Sequence, residues 1–308
     1  MALVALSLRK ECAKLGERYS KNFSISNLAS ALKVAVMSYK EFHRQRWNSL
    51  AREFGATTPL RAVISSENDH VNYYFDRSTK RILRRSMRFE RKRVLDLGCG
   101  IGRLSLWMAR RAQHVTGVDI SEEMIQVAQN LAASQGLRNV TFQVYDGTTL
   151  PYQDSLFDVV VCTGVLKYII EEQDLLVVIG EMCRSVVSGG QIAVIDQFDY
   201  AGPVQLSSGE DLGGLSVLRH PSEYICAFQK CGMQLIDQCC MYRKRFWNLG
   251  GTVLAKLPVG RRVATQPAVA RAMATVDVWI DEVLRHRIEP IRGFQLLSFV
   301  RPRRQHAS

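Results

Sequence analysis

At 308 residues and 47% hydrophobic, the chain can bury a core as one large domain with additions or as two modest domains. No apolar stretch reaches the roughly 18 uncharged residues of a membrane-spanning helix, and eight cysteines without a CxxC pair fit neither a zinc site nor a disulfide framework. The net charge of +12 is uneven: residues 1–93 hold 20 Lys and Arg against 8 Asp and Glu, residues 94–200 hold 6 against 13, and residues 201–308 hold 15 against 8, unlike a nucleic-acid-binding core that is basic throughout.

The start, MALVALSLRK, has no basic segment ahead of its apolar run and makes a poor secretory signal; with the cysteine usage this predicts a cytoplasmic protein. SNLASALKVAVMSYKEFHRQRW (26–47) has helical periodicity, broken later by Pro59 and SSENDH (65–70). Residues 1–90 therefore read as a mainly helical extension. RRSMRFERKR (84–93) is a basic run whose plain explanation is a solvated face, although an anionic acceptor, an anionic membrane surface or RNA would also suit it.

From residue 94, short apolar runs alternate with helix-like segments. VLDLG (94–98) reads as a strand, followed by a helix to about 111; HVTGVDIS (114–121) reads as a second strand. The helix of 121–136 has Ser121 as its cap and Gly136 as its stop. VTFQVYD (140–146), FDVVVCTG (157–164) and QIAVIDQF (191–198) are further strands, with helices at about 171–187 and 221–231. Gly189-Gly190 predicts a tight turn before the fifth strand. MQLIDQCCMYRKRF (233–246) and GFQLLSFVRP (293–302) complete seven strands, with a helical insertion at about 247–290. The alternation predicts an α/β fold: a Rossmann-like, mostly parallel seven-stranded sheet with helices on both faces.

The glycines of VLDLGCGIGR (94–103) let a backbone approach a ligand ahead of a helix N-terminus. Their spacing lacks the third glycine of the GxGxxG dinucleotide fingerprint, where Arg103 stands instead. Asp96 lies where a pyrophosphate would be repelled, and Asp119, at the end of the second strand, suits ribose hydroxyls. A phosphate-free, positively charged nucleoside fits both acids better than NAD does. Read together and in order, VLDLGCGIGR, VTGVDIS, YDGTTLPYQDSLFDVVVCTGVLKYI and SVVSGGQIAVID resemble the class I S-adenosylmethionine-dependent methyltransferases, in particular the branch acting on small molecules.

The resemblance covers about residues 90–200 and 221–302. It implies S-adenosyl-L-methionine as cofactor, with Asp96, Gly98, Cys99, Gly100 and Gly102 at its methionine end. Asp119 would take the ribose hydroxyls, Ile120 would pack on the adenine, and Asp146, with Gly147 and Thr148, would meet the adenine amino group. Thr163 would face the methionine portion. Leu166, Tyr168 and Gln197, with Tyr73 and Tyr74 from DHVNYYFD, would line the substrate side. Asp158 reads as structural, while His70, Asp196 and Asp199 remain near the expected site without a role.

Methyl transfer from a sulfonium needs alignment and desolvation, and a base only when the acceptor must lose a proton. His220 is one candidate base, equally well explained as the cap of the helix at Pro221, and Tyr168 stands where small-molecule members often carry His. No metal-ligand cluster is legible, so a metal-independent enzyme is expected. The expected acceptor is a small or lipid-linked molecule methylated on oxygen, such as a sugar, polysaccharide or secondary metabolite, with an anionic one mildly favoured. The competing readings are an RNA or protein methyltransferase docking through the basic flanks and a non-catalytic cofactor-binding module. The segment AVARAMATVDVWIDEVLRH (268–286) reads as a lid helix or dimer contact, with peripheral membrane contact as its rival. Oligomeric state is not legible.

Overall fold

The computed structural model describes residues 38–64, 69–200, 205–207, 215–241, 267–284 and 292–303. Most of the expected 247–290 insertion, the start of the 26–47 helix and residues 242–246 of the sixth strand lie outside the described residues. The chain divides into two compact units, residues 1–42 and residues 43–308. The elements below belong to the second, apart from the start of the first helix.

Three helices precede the sheet: α1 (Tyr39–Phe54), α2 (Pro59–Ile64) and α3 (Asp69–Ser86). The sheet region then runs β1 (Arg93–Leu97), α4 (Arg103–Ala109), β2 (His114–Asp119), α5 (Glu122–Ser134), β3 (Val140–Val144), β4 (Phe157–Thr163), a 3-10 turn (Leu166–Tyr168), α6 (Glu172–Ser185) and β5 (Val186–Asp199). A small antiparallel pair, β6 (Gln205–Ser207) and β7 (Ser216–Leu218), follows. The chain continues through α7 (Pro221–Lys230), β8 (Gln234–Cys240), α8 (Pro267–Leu284) and β9 (Arg292–Val300). The β6–β7 pair has no counterpart in the sequence reading, because three-residue strands are too short for a period to show.

The strand order is β3-β2-β1-β4-β5-β9-β8. β1 to β5 pair in parallel, and only β9 runs against its neighbours. Successive crossovers lead one way from β1 and the opposite way from β4. Right-handed crossovers in opposite directions place α4 and α5 on one face and α6 on the other. The order thus reverses between β1 and β4, the place where open α/β sheets leave a crevice at their carboxyl ends. VVVC of β4 is completely buried, as a central parallel strand covered on both faces should be.

β5 begins earlier than expected. Gly189-Gly190 is an irregularity inside the strand: Phe157 pairs with Val186, and the register resumes at Val159 with Gln191. The Gly189 amide donates to the Arg301 carbonyl and the Arg301 amide to the Gly190 carbonyl, so the end of β9 holds what local sequence reads as a turn. Ser121 caps α5 by accepting from the Met124 amide. α1 and α2 pack Ala51, Ala62, Trp47 and Val63 against Ile101 and Met124. α3 packs Tyr74 against Ala274 and Val278 of α8. Ala274 and Val278 of the 268–286 segment thus contact α3, and no helix among the described residues is long and apolar enough to cross a membrane.

Candidate functional site

The crevice is built from the chain turning back on itself after β1. The Gly98 and Cys99 amides both donate to the Val118 carbonyl of β2, at 2.8 and 3.0 Å. One residue later the Gly100 amide donates to Asp119 Oδ2 at 2.8 Å, while the Ser121 amide donates to Oδ1 at 3.0 Å. Two backbone donors from different segments thus fix a carboxylate that is 8% exposed. Burial pushes the Asp119 pKa up and the amides work against that shift. An ionised carboxylate has about four acceptor positions, so the amides of Gly100, Ser121 and Ile120 that act on it leave acceptor capacity for a further hydroxyl donor.

Asp96 lies deeper in β1. Its Oδ2 accepts from Ser105 Oγ of α4 at 2.5 Å, and burial raises its pKa to about 6. Asp96 therefore ties the strand to the helix that follows the glycine loop. At the end of β4, Thr163 Oγ1 is buried and has no hydrogen-bond partner among the described residues. Beside it, a Cβ on Gly164 (φ +67°) would meet nothing within 4 Å. An orphaned hydroxyl at the β1–β4 reversal can take a ligand atom, and Gly164 beside it is a candidate that the sequence reading did not single out.

The bare positions of the loop face protein. A Cβ on Gly98 would collide with Val165, one on Gly100 would come within 2.9 Å of Val63, and one on Gly102 within 2.7 Å of Phe142. The expectation that a ligand occupies the space of a missing side chain is thus replaced, at these three positions, by close approach of neighbouring elements. Cys99 is buried, and burial pushes its thiol pKa well up. Asp146 is exposed and holds its own turn: Oδ1 accepts from the Thr148 and Thr149 amides, both at 2.7 Å, and from Thr148 Oγ1. Gly147 within that turn is buried. The Ile120 carbonyl accepts from Arg44 Nε, and Asn48 Oδ1 accepts from Ser121 Oγ at 2.6 Å. Both come from α1, which roofs the end of β2. Asn48 gave no signal in sequence because its partner lies 73 residues away.

On the other side of the reversal, the 3-10 turn presents Tyr168. Its ring packs against His43 (centroids 4.9 Å apart) and edge-on to Trp47 (5.6 Å), both from α1. Burial holds the His43 imidazole down at about 4. Leu166 is wholly buried beneath the turn. Asp196 at the end of β5 accepts from the Lys167 and Gln197 amides, at 2.9 and 2.8 Å. Arg219 donates to the Ile169 and Ile170 carbonyls, bracing the turn from behind. Tyr73, under the Arg271 guanidinium, and Tyr74, stacked on His70, pack at the α3–α8 contact. His220 caps α7: its Nδ1 accepts from the Ser222 amide while Glu223 accepts from the His220 amide. Asp158 accepts from the Arg93 amide at the start of β1, at the opposite end of the strands from the crevice.

The residues present suit an S-adenosylmethionine-like group. Two buried acids flank a backbone-lined loop, the buried Thr163 hydroxyl has no hydrogen-bond partner among the described residues, and Arg103, which follows the loop, is committed to Asp76 at 2.7 Å. Residues 94–190 match the family model described as a methyltransferase domain. Methyltransferase GfsG of Streptomyces halstedii is 27% identical over 215 residues, which cover 62% of this chain and 76% of that protein. Ajmaline N-methyltransferase of Rauvolfia serpentina is 38% identical over 106 residues, covering 34% of this chain and 35% of that protein. Among solved structures, the [4+2]-cyclase SpnF aligns with a TM-score of 0.53 at 24% identity, covering 74% of this chain and 81% of that chain. That last likeness is one of fold, which does not fix a reaction.

Proposed function

We propose an acceptor for a chain that belongs, through residues 94–190, to the class I S-adenosylmethionine-dependent methyltransferases: a small or lipid-linked molecule methylated on oxygen, such as a sugar, polysaccharide or secondary metabolite. The observation that carries the reading is the pairing of Asp96 and Asp119 across the glycine loop. These acids favour a phosphate-free, cationic nucleoside at the point where the strand order reverses. The two relatives named above as methyltransferases, one of them acting on ajmaline, support a small-molecule acceptor. The ajmaline enzyme methylates nitrogen by its name, so the atom modified is decided by the experiment below.

When bound, the cofactor supplies an electrophilic methyl group on a sulfonium whose leaving group is a neutral thioether. The chain's own contribution is alignment and exclusion of water. In this reading Asp119 orients the ribose with the acceptor capacity its amide clamp leaves, and Asp96 balances the ammonium of the methionine end. Thr163 Oγ1 finds its missing partner there too. Asp146, with Gly147 and Thr148, marks the adenine end, and Ile120 packs against the base. Tyr168 and Gln197, under the α1 roof, border the acceptor. The commitment of His220 Nδ1 to its helix cap leaves it out of the proton transfer in this scheme.

The test is incubation of the purified chain with cell extract and methyl-labelled S-adenosylmethionine, followed by mass spectrometry of what becomes labelled. Label on a small or lipid-linked hydroxyl supports the reading. Label on RNA or protein, or tight S-adenosylhomocysteine binding without any labelled product, overturns it.

A further inference from the structure

The segment that follows Asp119 is held from α1. Arg44 Nε donates to the Ile120 carbonyl at 3.3 Å. Asn48 Oδ1 accepts from Ser121 Oγ at 2.6 Å and from the Glu123 amide at 3.3 Å. Arg52 Nε donates to Glu123 Oε1 at 2.9 Å. Residues 44, 48 and 52 stand four apart, so they share one face of the helix. That face meets Ile120, Ser121 and Glu123 at the junction of β2 and α5.

The three contacts are unequal. The Arg52 and Glu123 side chains are 64% and 41% exposed, and an ion pair so open to water contributes little. Asn48 instead reaches Ser121, which is wholly buried. The Glu123 amide can only donate, which fixes the Asn48 carboxamide with its oxygen towards α5. The Ser121 hydroxyl is then used in both directions: it donates its one proton to Asn48 and accepts from the Met124 amide as the cap of α5. The same stretch of chain serves Asp119. The Ser121 amide donates to Asp119 Oδ1, and the Ile120 amide also acts on the carboxylate. Movement of the junction therefore moves two of the donors that aim this side chain, while the third, the Gly100 amide, belongs to the glycine loop.

We propose that Asn48 is a positioning residue for the cofactor: through Ser121 it fixes the β2–α5 junction, and with it the Asp119 carboxylate, in the geometry that takes the ribose hydroxyls. A group already aimed before binding loses less free energy to ordering when the ligand arrives. Asn48 acts through Ser121 and needs no contact with the ligand. The proposal rests on the ribose assignment of Asp119 given above. It makes α1, which lies outside the 94–190 family match, part of cofactor recognition.

The test is a double-mutant cycle on the full chain, with S-adenosylhomocysteine affinity read by calorimetry. Asn48→Leu, similar in size and without the acceptor, should weaken binding about fivefold or more, the scale of coupling within one hydrogen-bond network. In an Asp119→Ala background the same substitution should add no more than about twofold. Asn48→Asp keeps an acceptor for Ser121 Oγ and for the Glu123 amide at the positive end of α5, and should retain most of the wild-type affinity. Ser121→Ala breaks the same link from its other end, should reproduce the Asn48→Leu pattern, and carries the test if Asn48→Leu does not fold. Unchanged affinity in Asn48→Leu, an equal loss with and without Asp119, or an Asn48→Asp variant as weak as Asn48→Leu overturns the proposal. The two levels separate at Asp119: if Asp119→Ala binds like the wild type, the ribose assignment falls, whereas a loss in Asp119→Ala without one in Asn48→Leu removes only this inference.

Discussion

In the proposed reading, Asp119 serves the fold and a ligand with one side chain. Its oxygens accept from the Gly100 and Ser121 amides, so the carboxylate is already positioned before anything binds. Asp119→Ala is expected to weaken S-adenosylhomocysteine affinity by about 1.5–3 kcal/mol, as for charged hydrogen bonds, measured by calorimetry on protein shown to be folded. Asp96 carries a pH signature. Its pKa, raised to about 6 by burial, means that the native state takes up a proton before the unfolded chain does. Its contribution to stability is therefore full at pH values below the unfolded pKa and is lost as pH rises through about 6. Its charge runs the opposite way. Affinity for the ammonium-bearing ligand should fall on acidification through about pH 6, and Asp96→Asn should weaken binding and flatten that part of the profile. The upward shift of Asp119 leaves a residual slope. A pH-independent affinity in the wild type would remove Asp96 from the ammonium contact.

Elements meet the glycine loop from both sides. Gly100 sits at φ +53° with Val63 of α2 poised 2.9 Å from where a Cβ would stand. Gly100→Ala is expected to cost about 1–3 kcal/mol from the left-handed backbone, with a contact penalty added, read as a lower Tm. Val63→Ala in the same chain should recover the contact part and leave the backbone part, so the double variant falls between wild type and the single. Complete additivity would show that α2 does not press on the loop. The loop itself was legible in VLDLGCGIGR because its physics is local: a buried strand, then residues that tolerate positive φ, then a helix. Its neighbours Val63 and Val165 were not legible, since nothing in their own surroundings marks them as lying against a glycine.

Across the whole molecule, the helices before the sheet are fastened to the crevice by charge as well as by packing. Asp76 of α3 accepts from Arg103 Nη1 at 2.7 Å and from Lys80 Nζ at 2.8 Å, with the Arg103 and Asp76 side chains only 10% and 12% exposed. Burial works to raise the Asp76 pKa, and the two cations outweigh it and hold the carboxyl below its ordinary value. Asp76→Asn leaves Arg103 buried and unpaired at the start of α4, and is expected to destabilise the fold by about 3 kcal/mol. The measurement is urea unfolding, and a loss below about 0.5 kcal/mol would place the pair among the weak surface contacts. The basic 84–93 run, by contrast, leads into the amino end of β1 at Arg93, opposite the carboxyl end that carries the glycine loop.

What the sequence determined by itself was everything with a local period or a fixed spacing. The parallel strands, the helix cap at Ser121, the glycine loop and the two acids at its sides follow from short-range sterics and from hydrogen bonds between near neighbours, whereas His220, open in the sequence between base and cap, is resolved as a cap by the structure. The tertiary structure decided which distant side chains share the crevice. It brought α1 over β2 through Asn48 and Ser121, inserted β9 between β5 and β8, and turned Gly189-Gly190 from a loop into a strand irregularity held by Arg301. It also packed His43 and Trp47 of α1 against Tyr168 of the 3-10 turn. Such pairings depend on how apolar faces pack at long range, and a residue's own neighbours in the chain carry no trace of the partner that burial will give it.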